Sequence, residues 1–126
     1  MAGNLSNYLE NKLLDHFLGT TTYTMPTVYV ALFTVAPTDA GGGTEVTGGS
    51  YARQTAAFSA AASGATSNSG NIDFTGMPAC TTVAIALFDN STGGNMLLWG
   101  TLTTSKTTDA GDTLRIATGD LDVTID

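Results

Sequence analysis

Two hexapeptides of this chain, VYVALF at 28–33 and VAIALF at 83–88, are nearly identical and apolar throughout. A strand with one face in water alternates apolar and polar residues, whereas one apolar at every position is covered on both faces. In the first copy Val28, Val30 and Leu32 alternate with Tyr29, Ala31 and Phe33. In the second, Val83, Ile85 and Leu87 alternate with Ala84, Ala86 and Phe88. Both copies are expected to be central strands with material packed above and below. The flanks do not repeat over a full unit, which favours two core strands of similar composition over an old duplication.

Shorter patterns fill in the rest. YARQTAAF (51–58), NIDF (71–74), MLLWGTLT (96–103) and TLRI (113–116) read as strands, and the strand VYVALFT is expected over 28–34. Thr92-Gly93-Gly94-Asn95 predicts a hairpin between TVAIALF (82–88) and MLLWGTLT, and Asp109-Ala110-Gly111-Asp112 predicts another turn. The last strand is the cleanest: Leu121, Val123 and Ile125 alternate with Asp120, Asp122, Thr124 and Asp126. One helix is predicted over 5–18, where Leu5, Tyr8, Leu9, Leu13 and Phe17 recur at spacings of three and four. Asn4 or Ser6 can cap its start and Gly19 can stop it. Leu9, Leu13 and Phe17 are expected to pack on the chain's own sheet, with Leu5 and Tyr8 left toward a partner. Short strands with Gly-rich turns predict a mainly β single domain over 1–126. Its expected form is an antiparallel β-sandwich or barrel, jelly-roll-like, with one N-terminal α-helix.

Composition narrows the function. The chain has 126 residues, enough to bury a core without disulfides or metals. Only four residues are basic, Lys12, Arg53, Lys106 and Arg115, and the formal net charge is −7. Affinity for nucleic acid, or for an anionic membrane surface, comes largely from Lys and Arg, so neither partner is expected. No apolar run approaches the roughly 20 residues of a membrane span, and the polar start MAGNLSNYLENK is unlike a secretory signal. The single cysteine, Cys80, forms no internal disulfide and points to a reducing compartment. Threonine is the strongest bias, and charged residues make up only 12% of the chain, about half the usual share. These features suit a component of an assembly better than a free enzyme.

No cofactor or catalytic group is expected. His16, the only histidine, has no nucleophile near it in sequence and reads as an exposed or interfacial helix residue. Cys80 reads as a small hydrophobe rather than a nucleophile. Gly41-Gly42-Gly43-Thr44 lacks the lysine of a phosphate loop, and Glu45 beside it would repel phosphate. Asp109, Asp112, Asp120, Asp122 and Asp126 lack EF-hand spacing and read as a solvated acidic face that also discourages edge pairing. No carboxylate pair stands out for glycoside hydrolysis, so a cell-surface polymer hydrolase is a distant third reading.

From end to end, the sequence resembles a family of small tailed-bacteriophage virion proteins. The resemblance rests on NLSNYLENKLLDHFLGTTTYTMPTVYVALFT, then APTDAGGGTEVTGGSYARQTAAF and SNSGNIDF, and last VAIALFDNSTGGNMLLWGTLTTSKTTDAGDTL with the closing alternating strand. TVYVALFT followed by PTDAGGGTEV and GGSYARQ is its most specific part. The stretch between Phe74 and Val83, around Cys80, matches less well. Such proteins are commonly labelled tail-fibre or minor structural proteins, which implies a non-enzymatic part of the particle made in the host bacterial cytoplasm. Similar small acidic β-rich proteins act as capsid decoration, usually as trimers. The resemblance therefore implies an outer capsid decoration (cement) protein with the major capsid protein, copies of itself as a homotrimer, or both as partners. The alternative is a tail-fibre or baseplate component that binds tail proteins or a host surface glycan, with Tyr23, Tyr51 and Trp99 as stacking groups. Function tends to sit on loops held by a rigid scaffold. The contact residues expected are therefore Leu5 and Tyr8 at the helix start, Thr38, Asp39, Gly41, Gly42 and Gly43 after the first hexapeptide, and Asn90 and Thr92 after the second.

Overall fold

The two hexapeptides lie side by side. In the computed structural model, which describes residues 4–125, strands β2 (Tyr29–Val35) and β7 (Cys80–Phe88) pair antiparallel at the centre of the largest sheet. Ala31 faces Ala86, Val30 faces Leu87, and Leu32 faces Ile85. The chain also forms β1 (Asn4–Leu5), helix α1 (Asn7–Phe17), β3 (Thr44–Glu45), β4 (Gln54–Thr55), β5 (Ala65–Ser67), β6 (Ile72–Met77), β8 (Met96–Thr108), β9 (Asp112–Ile116) and β10 (Asp122–Thr124). The main sheet runs β1-β8-β7-β2-β3, with β4 also on β2, and two two-stranded ribbons, β6-β9 and β5-β10, complete the strands. The fold is mainly β, an antiparallel sandwich with one helix.

The double coverage read from the hexapeptides is present. On one face Val30, Leu32, Ile85 and Leu87 enter the main core, which takes Leu9 from α1, Ile72, Phe74 and Met77 from β6, Ile116 from β9 and Leu121 and Val123 around β10. On the other face Ala31, Phe33, Ala84, Ala86 and Met96 form a second, smaller cluster edged by Phe88 and Trp99. Burying a side chain such as Leu32 or Phe74 is worth about 1.5–3 kcal/mol. The main core therefore carries most of the stabilisation, and the small second cluster sits under the loops.

The helix, expected over 5–18, starts two residues later at Asn7, and Leu5 lies on β1 instead. Ser6 is its N-cap: its Oγ accepts from the Leu9 amide at 3.1 Å and donates to the Met96 carbonyl, tying α1 to β8. At the far end the Gly19 amide turns back to the His16 carbonyl and the Thr20 amide to the Asp15 carbonyl, a Schellman ending. Gly19 takes the positive φ of +81° that this ending needs.

Four expectations change. Phe17 does not pack on the sheet and is 72% exposed, because α1 turns its Tyr8, Leu9 and Leu13 side toward the core. YARQTAAF is not a continuous strand. Only Gln54–Thr55 pairs with β2, since Tyr51 and Arg53 are drawn to Glu45 instead. The strand expected over 96–103 runs on to Thr108, and between Thr101, opposite Ala84, and Lys106, opposite Thr82, it bulges. Finally, Leu121 and Val123 are buried as the alternation requires, while Ile125 is exposed; Asp126 lies outside the described residues.

Candidate functional site

The loops that leave the two hexapeptides open onto one groove of about 590 Å3. Its walls include Tyr8 of α1, the Asp39–Gly43 loop after β2, and Gly94 and Asn95 after β7; Phe33, Phe88 and Met96 form its apolar base. The two phenylalanine rings are stacked, with centroids 6.3 Å apart and planes within 5°. Phe88 sits opposite Tyr29, four residues along β2 from Phe33. At roughly 3.3 Å per residue the rings meet only by leaning toward each other across the small Ala31–Ala86 pair.

The first loop is pinned by Asp39. Its carbonyl accepts from the Asn7 amide at 2.9 Å, and its Oδ1 accepts from the Trp99 indole Nε1 at 2.8 Å. A tight turn follows, with the Thr38 and Gly41 amides each donating to the other's carbonyl. At Gly43, φ is +73° and an added Cβ would lie 2.6 Å from the Val35 carbonyl oxygen, so the chain closes back on β2 only with glycine there. The second loop is pinned by Asp89, whose carboxylate accepts from the Asn95 amide at 2.7 Å and its side-chain Nδ2 at 3.0 Å.

One cation joins the two sides. Arg53 holds Glu45 in a fork, Nε to Oε2 at 3.0 Å and Nη2 to Oε1 at 2.8 Å. Its Nη1 donates to the carbonyls of Asn90 and Gly93 at 2.9 and 2.8 Å, and its guanidinium lies 3.8 Å from the centre of the Phe88 ring. The planar fork of arginine makes all these contacts at once, which lysine cannot do. The Arg53 side chain is only 8% exposed, so it acts as a buried clamp on the second loop. Behind it the Tyr51 hydroxyl donates to Glu45 Oε2 and accepts from the Leu32 amide, both at 2.9 Å. Burial pushes the Tyr51 phenol well above its ordinary range, and the Glu45 carboxylate adds to the shift.

Of the residues expected at a contact surface, Tyr8, Asp39, Gly41, Gly42 and Gly43 come together at this groove. Asn90 lies on the exposed second loop, bound by Arg53 through its carbonyl, and Thr92 is exposed beside it. Thr38 is exposed at the tight turn. Leu5 pairs with Leu98 and packs, half-buried, against the main core, as does Tyr8. Sequence reasoning missed Glu45, Arg53 and Phe88 at this site, and it named Tyr51 only as a stacking group, whereas its ring stacks on Phe74 and its hydroxyl serves Glu45. One signal was available: Arg53 is one of only four cations and stands in the GGSYARQ stretch, two residues after a tyrosine.

The residues considered for chemistry are held locally. His16 is exposed, and its Nδ1 accepts from the Tyr23 amide at 3.2 Å. Cys80 is half-buried at the start of β7, with Sγ 3.6 Å from Thr108 Oγ1. Asp112 accepts from the Asp109 amide at 2.7 Å, closing its turn. A second ion pair is exposed: Arg115 holds Asp73 at 2.7 and 3.0 Å and keeps that carboxyl below the usual carboxylate range. Among the described residues, no group of three or more His, Cys, Asp or Glu is placed to hold a metal ion, and no helix is long and apolar enough to cross a membrane.

None of the curated proteins matches the chain. A family model described as podophage GP4 fiber I protein gp80 matches residues 4–124, from the first residue of β1 to the last of β10. The chain thus belongs to the podophage GP4 fiber I protein gp80 family, a family of phage virion structural proteins.

Proposed function

We propose that this protein is a non-enzymatic structural component of a phage particle that works as a fibre module, docking through the groove between its two clamped loops. The observation that carries this reading is Arg53, which ties Glu45 beside β2 to the Asn90 and Gly93 carbonyls after β7. A buried cation fixing the second loop to β3, beside a first loop pinned by Asp39, gives a preformed contact surface, and preorganisation lowers the entropic cost of docking. The family's description as a fibre protein supports the fibre location. The partners under this reading are neighbouring tail proteins, copies of the chain itself, or a host surface glycan.

Outer capsid decoration is the second reading. It is favoured by the small acidic domain with net charge −7 and by its Thr-rich surface, and its partners would be the major capsid protein and further copies in a homotrimer. Imaging of purified particles separates the two. A few copies at the tail support the fibre reading; about one copy per capsid subunit over the shell contradicts it and supports decoration.

A further inference from the structure

We propose that the cleft between the inner face of the main sheet and β9 is a binding site for a small uncharged amphiphile, a molecule with an aliphatic body and one hydroxyl or carbonyl. It lies on the face of the sheet opposite the groove between the two loops, since Leu32 and Ile85 line it and Phe33 and Phe88 line the groove. The cleft, about 570 Å3, forms where the ladder between β7 and β8 is interrupted. Thr101 faces Ala84 and Lys106 faces Thr82, so residues 102–105 of β8 bulge opposite Val83. Its volume is within the range of small-molecule pockets, about 300–1,000 Å3. Its floor is buried and apolar, with Leu32 of β2, Ile85 of β7, Ile116 of β9 and Leu121. Two buried threonines also line it. Thr108 Oγ1 donates to the Pro78 carbonyl at 2.8 Å, whereas wholly buried Thr82 has no hydrogen-bond partner for its Oγ1.

A hydroxyl buried without a partner destabilises the fold, and valine, of the same shape, would fill the position without that cost. The floor therefore keeps a polar atom that the fold itself does not use. A buried water typically makes about three hydrogen bonds, and the apolar side chains of the floor offer it none. An alcohol or carbonyl oxygen on an aliphatic chain suits both parts of the floor, with one bond to Thr82 Oγ1 and apolar contact with Leu32, Ile85 and Leu121. A carboxylate does not suit the same place, because one hydroxyl cannot replace its hydration. At the exposed mouth Lys106 and Arg115 stand with Asp112 and Asp120, so the entrance selects neither sign of charge. Residues 102–105 have no ladder partner on β7, and this bulge is the side that yields when a ligand enters.

Methyl NMR of the wild-type protein titrated with 1-octanol tests the site. Saturable shifts are expected at the Leu32, Ile85 and Leu121 methyls. Affinity is expected to fall at least about fivefold in Thr82→Val and to stay within about threefold in Thr82→Ser, which keeps the hydroxyl. Octanoate is expected to bind at least about tenfold more weakly than octanol. Without ligand, Thr82→Val is expected to melt at or above the wild-type temperature, because valine leaves no orphaned hydroxyl. No saturable shift at those methyls up to the solubility of octanol overturns the site. Equal affinity of wild type and Thr82→Val overturns the part given to the hydroxyl, and octanoate binding as tightly as octanol overturns the uncharged class. A lower melting temperature for Thr82→Val means that Oγ1 already has a partner, an ordered water or a neighbouring group, and overturns the proposal.

Discussion

Ala31 faces Ala86 across the central pair of strands, and each is the fourth residue of its hexapeptide. The register is therefore symmetric: Val30 faces Leu87 as Leu32 faces Ile85. The two phenylalanines that end the copies, Phe33 and Phe88, stack above that pair and floor the groove. A repeated sequence has become a local dyad in the sheet, with its loops leaving toward one surface.

The dyad needs small residues at its centre. Ala31 and Ala86 are both fully buried, so Ala86→Leu is expected to destabilise by about 1–3 kcal/mol through overpacking. Urea unfolding checks this. A neutral result would mean that the rings do not close over the pair.

Removing the clamp leaves Glu45 without its ion-pair partner and the second loop without its tie to Glu45. Arg53→Ala is expected to cost about 1–3 kcal/mol, since Glu45 is partly exposed and keeps the Tyr51 hydroxyl. Arg53→Lys should recover part of that but not the order of the loop, because one ammonium cannot serve Glu45 and two carbonyls together. Denaturant unfolding reads the first effect, and amide exchange over 89–95 reads the second.

Gly43→Ala places a Cβ against the Val35 carbonyl in a left-handed backbone. The expected loss exceeds about 1 kcal/mol. Gly42→Ala is the control: its φ is also positive, but no atom lies within 4 Å of the added Cβ. Thermal unfolding of both variants isolates the steric part at Gly43.

Tyr51 sets an alkaline limit. Burial raises its folded pKa above the ordinary phenol value of 10.0. Its contribution is therefore complete below about pH 10 and falls as pH rises, because the unfolded chain releases a proton that the folded one keeps. Each proton of difference makes the slope about 1.4 kcal/mol per pH unit. Tyr51→Phe should lower stability by about 1–3 kcal/mol at neutral pH and lose one proton's worth of that slope. Unfolding free energies measured from pH 9 to 11 test the sign. Tyr23, also raised, keeps a smaller slope in the variant.

Much of the architecture was legible because it rests on periodicity. Apolar residues on both faces of VYVALF and VAIALF marked central strands, and Leu121 and Val123 marked the last one. Ser6 and Gly19 marked the helix ends through their backbone chemistry. Pairings of two or three residues, such as Asn4–Leu5, Thr44–Glu45 and Ala65–Ser67, are too short to carry a period. They exist because the neighbouring chain is already in place. Phe17 had the right spacing and the wrong outcome, since spacing defines a stripe without fixing how wide a contact covers it. The loops of the groove could be named from their glycines and acids. The Arg53 clamp could not, because Glu45, Arg53 and Asn90 meet only after the sheet has brought distant segments together.

The central claim, that this chain is a structural part of the phage particle, is tested most directly by quantitative mass spectrometry of gradient-purified virions. The account predicts that the chain remains with the particles at a fixed ratio to the other virion proteins through repeated purification. Recovery of the chain only in the soluble lysate, with none in the particles, would contradict it.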